Sequence, residues 1–203
     1  KPPSPPPINP LSSLVAYFPM DNGQVTDVMN PTLNTLNLGA ATVPDRVETD
    51  GGGLEFEATS ESVVDVGIVD YSKVYDAGSS FAVSMWVRAL VDGTANGTVI
   101  GKQDKISGWR VDVNGTDNSR IRFHTNNGVT VDVLKSNNRL QGQQWHHVVV
   151  ELDAGKKRIY FDGVLDNEVS VTGVPRTNLR QLLFGAKERT GSRREGYSGR
   201  LDE

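Results

Sequence analysis

Hydrophobic and polar residues alternate with period two along most of the chain. Phe81, Val83, Met85 and Val87 alternate with Ala82, Ser84, Trp86 and Arg88. Trp109, Val111 and Val113 alternate with Arg110, Asp112 and Asn114, and Ile121 and Phe123 with Arg120, Arg122 and His124. Val129, Val131 and Val133 alternate with Thr130 and Asp132, and Ile159 and Phe161 with Arg158, Tyr160 and Asp162. Such spacing puts one side of a strand on a core and the other towards water. Shorter apolar runs occur at Leu14 to Phe18, Leu54 with Phe56, Val63 to Val66, Leu182 to Phe184 and Gly199 to Leu201. Trp145 to Leu152 reads as a longer buried run. Asn126-Asn127-Gly128, Asp153-Ala154-Gly155 and Asp162-Gly163 supply turn chemistry between the runs, because Asn, Asp and Gly accept positive φ cheaply. A short helix is expected only at Asp70 to Ala77, with Asp70 as its cap. Strands at intervals of roughly 8–12 residues predict an all-β fold, a two-sheet antiparallel β-sandwich.

The first ten residues carry six prolines, which favour extended polyproline II and cannot join a sheet. Residues 1–12 therefore read as a linker to a further domain and 13–203 as one domain. The 203 residues contain no cysteine, which excludes disulfides and thiolate metal sites. A chain of this length builds its core without such staples. A net charge of −4 gives no argument for a nucleic-acid partner, and no apolar run is long enough to insert in a membrane.

Three segments carry a family resemblance. Leu14-Val15-Ala16-Tyr17-Phe18-Pro19-Met20-Asp21 is the first, and Ser80-Phe81-Ala82-Val83-Ser84-Met85-Trp86-Val87 the second. The third is Gly142-Gln143-Gln144-Trp145-His146-His147-Val148, followed by Arg158-Ile159-Tyr160-Phe161-Asp162-Gly163. With the closing Gly199-Arg200-Leu201-Asp202-Glu203, this pattern resembles the laminin-G-like domains of the concanavalin-A-like superfamily. The resemblance implies a jelly-roll sandwich, an extracellular or cell-surface location and a role in binding rather than catalysis. It also implies a last strand that continues beyond Glu203. It implies a structural calcium ion where first and last strands meet, with Asp21, Asp27 and Asp202 at the matching positions.

Glu55 and Glu57 would project from one strand face, but the third acid of the related laminarinase-type enzymes is Thr59 here. A solvated strand face is the preferred reading. No Gly-x-Ser-x-Gly occurs. His146 and His147 are adjacent, so a strand sends them to opposite faces and they cannot share one ion. If the apolar partners face inward, Arg110, Asp112, Arg122, His124, Arg158 and Tyr160 occupy outer faces and form one patch should their strands be neighbours. Guanidinium forks suit carboxylates and sulfates, so as a sugar site the patch fits an anionic polysaccharide better than cellulose; a solvated face of mixed charge is the competing reading and the default for exposed arginine. A second basic stretch, Arg176 to Arg200, holds seven Lys or Arg against two Glu, with Lys187 and Arg189 as further sugar-binding candidates. Asn96-Gly97-Thr98 and Asn114-Gly115-Thr116 match the N-glycosylation pattern. The expected function is a non-catalytic carbohydrate-binding module of a larger secreted protein. The alternatives are a protein–protein adhesion module, a glycosidase or lyase, and a spacer.

Overall fold

The computed structural model describes residues 14–58, 61–67, 80–91, 95–189 and 192–203. The linker and the short helix expected at Asp70 to Ala77 lie outside the described residues. In chain order the described strands are β1 (Leu36–Leu38), β2 (Ala41–Val43), β3 (Gly53–Phe56), β4 (Val63–Asp65), β5 (Phe81–Arg88), β6 (Gly97–Gln103), β7 (Gly108–Asn114) and β8 (Arg120–Asn126). They continue with β9 (Val131–Arg139), β10 (Trp145–Asp153), β11 (Lys156–Phe161), β12 (Val164–Ser170), β13 (Leu183–Phe184), β14 (Lys187–Arg189), β15 (Ser192–Arg194) and β16 (Gly199–Asp202).

Two seven-stranded antiparallel sheets form the sandwich. The first has the order β1-β4-β13-β6-β7-β8-β9, the second β12-β11-β10-β5-β16-β3-β2, and β14-β15 is a separate hairpin. Consecutive strands are sheet neighbours in β6 to β9 and in β10 to β12, where short turns suffice. The β11–β12 turn is Asp162-Gly163, with φ of 50° and 80°, the all-positive pair that matches the right-handed twist of a hairpin.

The core lies between the sheets. Trp109, Val111, Ile121 and Phe123 enter it from the first sheet. Val87, Val148, Val150, Ile159, Leu54, Phe56 and Leu201 enter from the second. Phe81 reaches across from β5 to touch Trp109 at 5.4 Å and Phe123 at 5.9 Å between ring centroids. Each fully buried aliphatic or aromatic side chain contributes roughly 1.5–3 kcal/mol of transfer free energy.

Two details depart from the simple alternation. Val131 and Val133 are exposed, while Leu134 and Ser136 of the same strand are buried. β9 is the end strand of its sheet, and its register on β8 shifts between Arg120 and Arg122. The shift lies beyond Lys135; before it, Leu134 is paired with the inward Phe123 and Val133 with the outer-face His124, which sets the parity of the strand. The run from Trp145 is only half buried at every other residue, because β10 shows its second face to solvent.

The backbone is crowded where β6 begins. Gly97 has a φ of +103°, and a Cβ there would overlap the Gly196 carbonyl oxygen. Gly97→Ala is expected to cost on the order of 3 kcal/mol, through strain and overlap together. A lower urea midpoint at unchanged m-value would show it.

Candidate ligand-binding face

β7 and β8 run side by side, with Arg110 opposite His124 and Asp112 opposite Arg122. Because Trp109, Val111, Ile121 and Phe123 are turned inward, all four polar residues share the outer face of the first sheet. They form one network around Asp112, whose side chain is only 1% exposed. Its Oδ2 accepts from Arg110 Nε at 2.9 Å, and its Oδ1 from Arg122 Nε at 2.5 Å. His124 Nε2 lies 2.9 Å from Oδ2. Arg110 also donates to Gln103 Oε1.

Burial alone would raise the Asp112 pKa. The hydrogen bond from His124, the Arg110 charge and the Arg122 bond outweigh burial and hold it well below the usual carboxylate range. Burial depresses the His124 pKa, and the two guanidinium groups add to this against the pull of Asp112. The bonding assigns the tautomer: Nε2–H donates to Asp112 and leaves Nδ1 as a bare acceptor. That Nδ1 is buried with no hydrogen-bond partner among the described residues. A second proton would have to sit there unpartnered, so a neutral ring suits the site.

The hairpin β14–β15 brings Lys187 towards the same network. Lys187 is paired with Glu195 and is close enough to Arg110 and Asp112 to sense both charges. Burial is the main cause of its lowered pKa. A cavity of about 160 Å³ opens between the hairpin and the sheet, lined by Lys187, Arg110, Lys105, Gln103, Asn126 and Val131 among others. The side chain of Arg189 lies outside the described residues. Lys105 and Gln103 also line the cavity, without a signal in the sequence. Lys105 sits in a turn, where no alternation marks a face, while Gln103 ends a strand with no clear period.

Arg158 and Tyr160 do not join this patch. They lie on β11, in the second sheet, so the single patch expected for all six residues is split between the two sheets. Arg158 is held by Glu151 at 2.6 Å and Glu168 at 2.5 Å, and Tyr160 Oη lies 3.5 Å from Glu151. His146 and His147 do take opposite faces. His146 packs on the core residue Phe161 at 4.8 Å, while His147 bonds to Ser84 at 2.8 Å and stands beside Trp86 at 5.0 Å. Trp86 is flanked on its other side by the Arg46 guanidinium at 5.2 Å. A larger, mostly apolar cleft of about 550 Å³ runs past these residues to Phe18, Met20, Met85 and Phe184.

Two of the three acids expected to hold calcium are otherwise engaged. Buried Asp27 accepts from the backbone N–H groups of Tyr17 and Met29 and from the Asn30 amide. Asp202 is bound by Arg46 at 2.6 Å. Asp21 stands in a short 3-10 turn, Asp21–Gly23. Among the described residues no three His, Asp or Glu side chains gather as a metal would require. As placed, these acids do not fit a calcium cage. Glu55 is bound by Arg200 at 2.6 Å, as a structural pair on a strand face would be.

Two features decide the family: the two-sheet topology, and a profile of the Laminin G 3 family that matches residues 65–203. The chain belongs to the Concanavalin A-like lectin/glucanases superfamily. No curated protein sequence matches this laminin-G-type chain. Its fold is similar to that of the binding domain of Paraclostridial Mosquitocidal Protein 1, with a TM-score of 0.67 at 14% identity over 90% of this chain and 45% of the other. It is similar to botulinum neurotoxin type C, whose cell entry depends on interaction with two ganglioside molecules, with a TM-score of 0.60 at 15% identity over 83% of this chain and 47% of that one. It is also similar to domains LG4-5 of the mouse laminin alpha1 chain, with a TM-score of 0.61 at 17% identity over 85% and 45%. The laminin-G-type chain thus spans about half the length of these structures. At such identities the likeness shows the fold alone.

Proposed function

We propose that this domain is a non-catalytic carbohydrate-binding module, and that it takes an anionic polysaccharide on the outer face of its first sheet. One observation carries the reading: Arg110, Arg122 and Lys187 gather around a single buried carboxylate, Asp112, beside an open cavity. Two guanidinium groups against one shared acid leave positive charge uncompensated on a chain of net charge −4. Asp112 holds both forks by Nε, and among the described residues the terminal nitrogens of Arg122 have no hydrogen-bond partner, so they can face a ligand oxyanion. Arg158 is excluded from this role by its two glutamates. The ganglioside dependence of the neurotoxin supports a glycan as the partner class.

In this reading the domain is extracellular and concentrates a neighbouring domain, joined through the proline-rich linker, on a polysaccharide. No helix among the described residues is long and apolar enough to cross a membrane.

The test is retention on immobilised neutral and acidic polysaccharides at low and high salt. Retention on an acidic glycan, weakened by salt and reduced about tenfold in Arg122→Ala, is expected. A chelator arm examines the calcium implied by the family resemblance. With Asp27 and Asp202 engaged as described, chelation is expected to change neither retention nor melting temperature. Retention on no glycan, with capture by a protein ligand instead, would favour the adhesion reading.

A further inference from the structure

Three connections meet at one end of the first sheet, and each carries an aliphatic side chain into solvent. Ile106, between β6 and β7, is 50% exposed; Val129, between β8 and β9, is 92% exposed; Leu179, between β12 and β13, is 83% exposed. The first two connections share an end because antiparallel neighbours reverse direction at every turn in the order β6-β7-β8-β9. The third is laced to them. Arg176 N donates to Asn126 O at 2.8 Å, and Arg176 O accepts from Gly108 N at 2.9 Å. Asn126 Nδ2 donates to Lys105 O at 3.1 Å, and Arg180 Nε to Asp104 Oδ2 at 3.3 Å.

Single exposed aliphatic residues need no explanation. Three on adjoining loops form a cluster that marks an interaction surface. The charges beside them indicate its partner. Arg180 is neutralised by Asp104 and Glu188. Lys105 and Arg176 are exposed in the same loops, and among the described residues neither has a carboxylate within 4.0 Å.

We propose that this end of the sandwich docks on the surface of an anionic lipid bilayer. Interfacial binding needs apolar groups that enter the headgroup–acyl boundary and cations that meet the lipid charges. Ile106, Val129 and Leu179 supply the first, Lys105 and Arg176 the second. A sugar chain has little use for protruding aliphatic tips, and protein interfaces favour aromatic anchors, which none of the three tips is. The surface adjoins the glycan face and shares Lys105 with it, but Ile106, Val129, Leu179 and Arg176 do not line the glycan cavity, so variants at these positions test the lipid reading apart from the glycan reading.

The experiment is co-sedimentation of this chain with vesicles of phosphatidylcholine alone and with about one third phosphatidylserine. Binding to the anionic vesicles only, weakened by salt, is the expected result. The triple variant Ile106→Ser, Val129→Ser, Leu179→Ser is expected to bind about tenfold more weakly. Lys105→Ala and Arg176→Ala should each cost about fivefold, the effect of one basic residue near a charged surface. All five side chains are exposed, so unchanged circular dichroism in every variant, and unchanged glycan retention in the triple variant and in Arg176→Ala, confirm that the variants are folded. No binding to anionic vesicles, or equal binding by the triple variant, would overturn the proposal. So would an oligomer that the triple variant abolishes without any lipid binding.

Discussion

Asp112→Asn is expected to lower the melting temperature by roughly 6–12 °C. The substitution keeps the shape but removes the one negative charge that Arg110, Arg122 and His124 share. Breaking a buried pair from one side costs about 3–5 kcal/mol, and the arginines are partly exposed, which favours the lower figure. A domain of this size loses about 2–4 °C per kcal/mol. The sign with pH follows from the depressed carboxyl. Its stabilisation is present above the ordinary value of 3.8 and is lost as pH falls below it. Wild type and variant should therefore converge in strong acid. A gap that stays constant from neutral pH to strong acid would show that Asp112 acts through shape alone. Glycan retention should fall with stability here, because the same carboxylate orients both guanidinium forks.

The second large effect concerns Lys157, a fully buried lysine between the sheets. Its ammonium donates to Phe123 O at 2.6 Å, Asp132 O at 2.9 Å and Thr125 Oγ1 at 3.3 Å, and lies 4.6 Å from the Phe123 ring centroid. Burial pushes its pKa down to about 7 from 10.5, against the opposing charge of Asp132. Between those values the unfolded chain binds more protons than the folded one, so stability rises with pH. The slope is at most about 1.4 kcal/mol per pH unit. The three oxygen acceptors favour the charged form and make the actual slope smaller. Lys157→Met is expected to flatten the rise between pH 7 and 9 in urea midpoints. Equal slopes in both proteins would place the titration on another group.

The sandwich was legible in the chain because alternation survives wherever both faces of a strand have opposite surroundings. β5 and β11 follow it, and β7 and β8 follow it except where outer-face polar residues are themselves covered, at Asp112 and at His124 and Asn126. Lys157 was legible in the same way, since it shares parity with the inward Ile159 and Phe161. Its charge masked that signal. The site was half legible. Alternation puts Arg110 with Asp112 and Arg122 with His124, but not β7 beside β8, which depends on the order of strands across the sheet. The same ignorance of order grouped Arg158 and Tyr160 with residues of the opposite sheet. Val131 and Val133 misled because the pairing of this edge strand puts Leu134 beside the inward Phe123 and Val133 beside the outer-face His124. Asp27 and Asp202 matched a family pattern, yet their neighbours Tyr17 N and Arg46 come from segments with no period to read.

The most direct measurement is calorimetric titration of the wild type and of Arg122→Ala with a sulfated polysaccharide and its desulfated form. The expected result is binding of the sulfated chain only, with affinity that falls as salt rises and drops about tenfold in the variant. Equal affinity for both polysaccharides, or a variant that binds as tightly as the wild type, would contradict an anionic glycan site on the first sheet.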